Sequence, residues 1–298
     1  MYRTSVILRH TFVESIVQPI YPLLLAVGSA VLLILGFLPF FTLGEDTVMY
    51  KSVALDVVLL FVLVTTLFAA SKSIFEEIED RTMLTLMSKP VHKWEVIVGK
   101  YLGIILAALL AVAIFGLIII LCTWWRIPTD YQLRMFSLDD RELKQVSDYR
   151  WMHIAGLLPS LLLVWLQVSV LAAIGVALST RFSLVVNLPA VILIYIAGNL
   201  TRFLFPLTPE TSGVHKAFAQ VAALFLPFLQ VFDLRQQTIY HDIAVSGTHF
   251  ANNANAVSLG SIWLYVAIAV GYAVAYAAFA LGCGMWMFQR RELGGNEG

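Results

Sequence analysis

The feature that most constrains this sequence is a series of apolar stretches, each about as long as a bilayer is thick. A helix that crosses the hydrocarbon core needs about 20 mostly apolar residues. Six stretches meet this requirement: 22–42, 53–73, 98–124, 154–179, 182–204 and 262–288. Lipid cannot satisfy exposed backbone groups, and the stretches lack the alternating pattern of a barrel strand, so we expect helices. The predicted fold class is an all-α polytopic membrane protein.

Composition excludes the main soluble alternatives. Hydrophobic residues make up 60% of the chain and charged residues 13%, against about 45–50% and about 25% in a soluble domain. A water-soluble fold could not bury so much apolar surface, and a disordered chain would not contain it. The net charge of zero argues against a nucleic-acid partner. Cys122 and Cys283 show no zinc-type spacing, and we expect them on opposite sides of the membrane, unpaired.

Residues 1–21 are predicted to form an amphipathic helix in the membrane interface, with a soluble cap on the first span as the alternative. One face of the helical wheel is apolar and holds Tyr2, Val6, Phe12, Val13, Ile16, Val17 and Ile20. The opposite face is polar and holds Arg3, Thr4, His10, Thr11, Glu14, Ser15 and Gln18. Ile7 and Leu8 break this pattern.

The even number of spans places both termini on one side of the membrane. Basic residues are denser in the segments on the side of the N-terminus, which predicts that this side is cytoplasmic. The segment 74–97 is then a cytoplasmic loop, and 205–261 is an outer loop. Within the outer loop, the apolar stretch 217–232 is broken by Pro227, and we interpret it as interfacial or re-entrant.

Polar residues inside the spans are few, and each has two interpretations. Asp56 lies near the outer end of its span, where it is expected to reach the interface or to pair with Lys51. Uncharged polar residues lie deeper: Thr65, Thr66, Gln167, Asn187 and Asn199. They either hydrogen-bond between helices or line a path for a substrate, and the sequence leaves both possibilities open.

Motifs for catalysis are missing from the sequence. It contains no phosphate-binding loop and no nucleophile-elbow or zinc-protease motif, so we predict no catalytic residue, no enzyme activity and no metal site. His241, Asp242 and His249 could form a metal site in the outer loop, but solvated loop residues are the preferred interpretation. If the protein uses ATP, another subunit is expected to bind it.

The most informative segment is the loop between the second and third spans. Four carboxylates follow the end of the second predicted span, at the expected membrane surface: Glu76, Glu77, Glu79 and Asp80. A short helix with an apolar face follows, and it carries Met83, Leu84, Leu86 and Met87. Pro90 then ends this helix, since proline lacks an amide donor. The apolar face must be buried against this protein, the lipid surface or a docking partner.

This loop resembles that of the ABC-2 type transporter permeases, the membrane subunits of ATP-driven exporters. The residues that match in register are Glu79, Thr82, Met83, Leu86, Ser88, Pro90, Val91, Lys93, Glu95, Gly99 and Lys100. Arg81 stands where many members have glycine. An interfacial N-terminal helix, six spans and a long last outer loop agree with the resemblance, as do segments 226–235 and 288–293.

The resemblance implies a permease that exports its substrate, since export is the usual direction in this family. It further implies that a separate ATPase subunit binds ATP and Mg²⁺. It also implies a homodimer or a heterodimer with a related permease, in the cytoplasmic membrane of a bacterium. The ATPase would dock on the loop, through Glu76, Glu77, Glu79, Asp80, Arg81, Thr82, Met83, Leu84, Leu86, Met87 and Pro90. The alternative is a multi-span assembly or anchoring protein that does not transport. A multi-span enzyme is disfavoured because its motifs are missing.

Overall fold

The structure, a computed structural model, describes residues 2–39, 46–79, 92–131, 139–204 and 226–289. The helices in these ranges are α1 (Tyr2–Val17), α2 (Ile20–Phe37), α3 (Asp46–Glu79), α4 (Lys93–Asp130), α5 (Asp140–Ser179), α6 (Leu184–Leu204), α7 (Arg235–Thr238) and α8 (Leu259–Gln289). Two 3₁₀ turns (Leu229–Phe232 and His249–Asn252) and two short parallel strands, β1 (Ile243–Ala244) and β2 (Val257–Ser258), lie between α6 and α8.

Each predicted span overlaps a described helix, and five of the six helices have the length and apolarity of a span. These five are α2, α3, α4, α5 and α8. The remaining predicted span corresponds to α6, whose apolar stretch, Leu184–Leu200, is shorter. The chain is therefore an all-α polytopic membrane protein.

Several helices are longer than the apolar stretches that predicted them. The largest difference is at α5, which begins at Asp140 rather than near residue 154. The Asp139 side chain caps this helix by accepting a hydrogen bond from the amide of Arg141 at 3.1 Å, and Asp140 and Glu142 lie in its first turn. Carboxylates there are favoured by the helix dipole. Polar turns therefore continue a helix beyond its apolar window.

Helix α5 forms the centre of the bundle and packs against α3, α4 and α8. Within its most apolar window 78% of the residues are buried, against 22% in α2 and 28% in α8. The outer helices expose large apolar side chains such as Leu33 and Phe37 on α2 and Ile268 and Phe279 on α8. These exposed surfaces suit contact with lipid, which is as apolar as the side chains themselves.

Helix α1 packs against α4 through a face that the helical wheel did not predict. Thr11 and Ser15, assigned to the polar face, are buried, and the Ser15 hydroxyl donates to the carbonyl of Thr11 at 2.7 Å. Val6 and Val13, on the predicted apolar face, are exposed. That part of the face assignment is corrected: small side chains allow close packing of α1 on α4, while exposed apolar residues such as Val6 and Val13 suit contact with lipid.

The two ends of the bundle are defined by side-chain contacts. At the α1 end, Gly99 of α4 meets Ile7 of α1, and the Lys93 ammonium lies 5.2 Å from the ring centroid of Phe288 on α8. At the α7 end, His249 contacts Asp148 of α5. The beginning of the chain and the end of its last helix therefore lie at the same end of the bundle.

Tryptophans mark both ends in the manner of interfacial belts. Trp94 and Trp286 are exposed near the α1 end, whereas Trp125, Trp151 and Trp263 are exposed towards the α7 end. The presence of exposed rings at both ends agrees with a bilayer that surrounds the middle of the bundle.

The apolar stretch 217–232 is described only from residue 226. In that part the chain forms a 3₁₀ turn, and Leu229 and Phe232 are buried in the main core. Residues 226–232 thus pack on the bundle from its α7 end, and the remainder of the stretch lies outside the described residues.

The predicted docking loop falls largely outside the described residues, which stop at Glu79 and resume at His92. Glu76, Glu77 and Glu79 belong to the last turns of α3. The predicted docking residues Asp80, Arg81, Thr82, Met83, Leu84, Leu86, Met87 and Pro90 lie in the part of the chain that is not described.

Candidate functional site

A polar cavity of about 130 Å³ lies towards the α7 end, bounded by α3, α5, α6 and, through residues 232–235, by the stretch of chain from residue 226 to residue 238. We call this last stretch segment 226–238; it contains the 3₁₀ turn Leu229–Phe232 and α7. The polar residues that line the cavity are Asp56, Ser160, Gln167, Tyr195, Asn199, Asp233 and Arg235. The cavity therefore combines charged groups with uncharged polar side chains from the predicted spans.

Two glycines allow segment 226–238 to lie directly on the helices. A Cβ atom at Gly156 of α5 would collide with the carbonyl of Thr238, and one at Gly198 of α6 would lie 2.8 Å from the carbonyl of Pro227. Side chains add to these contacts: Ser160 and Thr238 share a hydrogen bond of 2.8 Å, and the Gln230 amide donates to the carbonyl of Asn199 at 2.8 Å. The segment is thereby fixed over the cavity.

An ion pair crosses the mouth of the cavity. The Arg235 guanidinium donates to the Asp56 carboxylate at 2.6 Å and lies 3.6 Å from the Asp233 carboxylate. Burial by itself lowers the pKa of Arg235, but the hydrogen bond and the charge of Asp56 outweigh it and raise this pKa above its ordinary value. The suggested pairing of Asp56 with Lys51 is wrong, because Asp56 faces segment 226–238.

Lys51 instead belongs to a buried polar chain that the sequence did not reveal. It is 1% exposed, and its ammonium lies 2.8 Å from Nδ1 of His153 on α5. Nε2 of His153 lies 3.0 Å from the hydroxyl of Tyr131, which follows α4. A neutral imidazole that accepts at Nδ1 and donates at Nε2 satisfies both contacts. The chain ties α3, α4 and α5 together near the α7 end.

Two of the five predicted path residues line the cavity. Gln167 is 6% exposed, and its side-chain amide has no hydrogen-bond partner among the described residues. Asn199 lines the cavity as well, and its Nδ2 donates to the carbonyl of Tyr195 on its own helix at 2.9 Å. They come from α5 and α6, so the cavity arises only when these helices pack together.

The other three predicted path residues hold helices together or bond within their own helix. The hydroxyls of Thr65 and Thr66 each donate to a carbonyl one turn earlier in α3, at 2.6 Å. The Asn187 amide donates to the Ser71 hydroxyl at 2.8 Å and to the carbonyl of Gly175 at 2.9 Å. Asn187 thereby joins α6 to α3 and α5, and none of the three lines the cavity.

The histidines of the loop after α7 make contacts within the protein. Nδ1 of His249 lies 2.9 Å from the Asp148 carboxylate, and Nδ1 of His241 donates to the carbonyl of Gln236 at 2.6 Å. Among the residues that the structure describes, no group of three or more metal-binding side chains is found.

At the α1 end, the two helices that flank the predicted docking loop are tied to each other. The Lys100 ammonium, which is buried, donates to the carbonyl and the hydroxyl of Ser73 near the end of α3. The Glu95 carboxylate accepts from the amide of His92 at 3.0 Å and so caps the start of α4. Gly99 lets α1 cross α4 closely. Three residues of the loop motif, Glu95, Gly99 and Lys100, therefore build the base from which the loop emerges.

Comparison with known proteins supplies the family. No curated protein matches the chain. The family described as ABC-2 family transporter protein matches residues 45–293, a stretch that runs from the start of α3 to beyond the end of α8. It includes the cavity, the predicted docking loop and both helices that flank this loop. The chain belongs to the ABC-2 family of transporter proteins, and its role is that of a transport permease.

Proposed function

We propose that the chain is the membrane subunit of an ATP-driven exporter, and that a separate ATPase subunit docks on the loop between α3 and α4. The observation that carries the proposal is the family match over residues 45–293. Membership in this family implies association with an ABC ATPase. The sequence contains no phosphate-binding loop, so ATP and Mg²⁺ belong to the partner in this proposal.

The geometry at the α1 end supports a mechanical role for the loop. Because Lys100 holds α4 to Ser73 of α3, a force on the loop acts on both helices together. Helix α3 also carries Asp56 at the mouth of the cavity. At about 1.5 Å per residue, Ser73 and Asp56 lie roughly 25 Å apart along the same helix. A shift of α3 at the ATPase would therefore move Asp56 relative to Arg235.

In this proposal the α1 end faces the cytoplasm and the α7 end faces outward, in the cytoplasmic membrane of a bacterium. Two permease copies, or this chain and a related one, would combine with two ATPase subunits. The density of basic residues towards the N-terminal side supports this orientation, and the cavity then lies in the outer half of the membrane.

The decisive experiment charges the proposed docking face. Leu86→Glu would place an unpaired carboxylate in the ATPase groove, which costs several kcal/mol, against about 1.4 kcal/mol for each tenfold loss of affinity. We expect the cognate ATPase to co-purify at least tenfold less, while the permease accumulates normally because the loop lies outside the bilayer. Glu76→Ala should have a smaller effect, since an exposed charge contributes about 0–1 kcal/mol.

The matched control is Leu143→Glu, the same chemical change at an exposed leucine of α5. It lies near the α7 end and should leave ATPase capture unchanged. If Leu86→Glu retains ATPase capture and transport at the level of this control, the loop does not couple the two subunits.

A further inference from the structure

The cavity is lined by a largely buried polar side chain that has no hydrogen-bond partner among the described residues. Gln167 lies within the predicted span 154–179, is 6% exposed and points into the cavity. No described residue hydrogen-bonds its amide. The atoms of this amide are not among those fully shielded and without a partner, so they remain accessible to a group that enters the cavity. A bound ligand would complete the hydrogen bonds of this amide.

The charges around the cavity favour a cation over an anion. The charged groups described in its lining are the carboxylates of Asp56 and Asp233 and the guanidinium of Arg235. Their formal sum is one negative charge. Arg235 is engaged by both carboxylates, at 2.6 Å and 3.6 Å, so its positive charge is compensated and one carboxylate charge remains. An entering cation gains from this field, whereas an anion is repelled.

The size and walls of the cavity restrict the cation further. At about 130 Å³ it is close to the roughly 150 Å³ cavity that holds benzene, which has six heavy atoms. An ammonium group with small alkyl substituents fits this space. Tyr195 and Phe232 contribute aromatic side chains to the lining, and aromatic faces attract alkylammonium groups. The exposed side chains of Asp56 and Asp233 place the opening towards the α7 end.

We propose that this cavity binds the ammonium group of an organic cation, with Gln167 at its floor and the carboxylates of Asp56 and Asp233 at its mouth. The proposal rests on the transport function proposed above and names the class of substrate. Arg235 already occupies the Asp56 carboxylate, so the cation competes with it. Binding therefore weakens the contact that holds segment 226–238 to α3.

The test measures binding to the purified full-length chain in lipid nanodiscs by isothermal titration. The probes are methylammonium, tetramethylammonium and choline, with 3,3-dimethylbutan-1-ol as the uncharged analogue of choline and acetate as the anion. We expect at least one of the three cations to bind with millimolar or tighter affinity. Choline should bind at least tenfold more tightly than its neutral analogue, and acetate should not bind.

Two pairs of variants locate the site. Gln167→Leu and Asp56→Asn should each weaken cation binding at least tenfold. The same changes at exposed positions, Gln237→Leu and Asp140→Asn, should stay within twofold of the original affinity. Arg235→Gln removes the competitor and should strengthen binding severalfold. A thermal melt of each variant checks that it remains folded.

The proposal is overturned if none of the three cations binds, if choline and its neutral analogue bind equally, if acetate binds more tightly, or if folded cavity variants bind like their controls. Weaker cation binding in Arg235→Gln would also contradict it. This experiment needs no ATPase, and the Leu86→Glu experiment does not involve the cavity. Either hypothesis can therefore fail while the other stands.

Discussion

Replacing Gly103 by alanine tests how α1 is attached to the base of the docking loop. Gly103 lies on α4 where α1 crosses it. A Cβ atom there would lie 2.7 Å from the carbonyl oxygen of Leu8, 2.8 Å from Cβ of Thr11 and 3.0 Å from the amide nitrogen of Phe12. Two of these atoms are backbone and cannot rotate away, so the added methyl group must displace α1.

Two opposing contributions set the magnitude. Alanine is favoured over glycine inside a helix by about 0.8–1.0 kcal/mol. Overpacking a close contact costs about 1–3 kcal/mol. At Gly271 of α8, no described atom lies within 4 Å of the position that the added methyl group would occupy, so only the first contribution applies there. We therefore expect Gly103→Ala to be about 1–3 kcal/mol less stable than Gly271→Ala.

The assay combines stability with the position of α1. Thermal unfolding in detergent should give a melting temperature several degrees lower for Gly103→Ala than for Gly271→Ala. Trypsin should also cut at the exposed Arg9 of α1 faster in Gly103→Ala, because α1 is displaced. If the two variants melt together and Arg9 is cut at equal rates, α1 does not pack on α4 through Gly103.

Two further predictions concern the architecture. In a background without Cys122 and Cys283, single cysteines introduced at Asp140 and Val245 should react with a membrane-impermeant reagent added from outside. Single cysteines introduced at Thr85 and Asn296 should react only after permeabilisation. Reaction of position 245 from inside would mean that the stretch before it crosses the membrane. The purified chain without its partner should hydrolyse no ATP above background, and robust turnover by the isolated chain would contradict the permease-subunit proposal.

The spans could be predicted because apolar length is a property of one continuous window of sequence. The ends of the helices could not be predicted in this way, because polar residues can continue a helix beyond its apolar stretch when a capping residue is present. At α5, Asp139 extends the helix well beyond its apolar part. The predicted face of α1 was also wrong in part, because the Ser15 hydroxyl is satisfied within α1 and Gly103 leaves room for Thr11 against α4.

The cavity could be predicted only in part, because the role of a polar residue in a span depends on the neighbouring helix. Asn187 and Gln167 are both buried amides and look alike in sequence. The side-chain nitrogen of Asn187 donates to Ser71 on the neighbouring helix, whereas the side chain of Gln167 lines the cavity. The pairing of Asp56 with Arg235 joins residues 179 positions apart. It depends on the path of segment 226–238, which no local pattern encodes.

The polar contacts of α3 differ in burial, and this difference indicates where the cavity would open. Near the α7 end, the hydroxyl of Thr47 donates to the Asp130 carboxylate of α4, and Lys51 contacts His153 of α5. Thr47 and Lys51 are almost fully buried, and breaking a buried contact of a charged group typically costs about 3–5 kcal/mol. By contrast, Asp56 is 60% exposed where it meets Arg235, and an exposed ion pair contributes about 0–1 kcal/mol.

Since Lys100 also ties α3 to α4 at the α1 end, α3 and α4 are expected to move together. If an ATPase moves α3 as proposed above, we expect the contact between Asp56 and segment 226–238, at the mouth of the cavity, to break first.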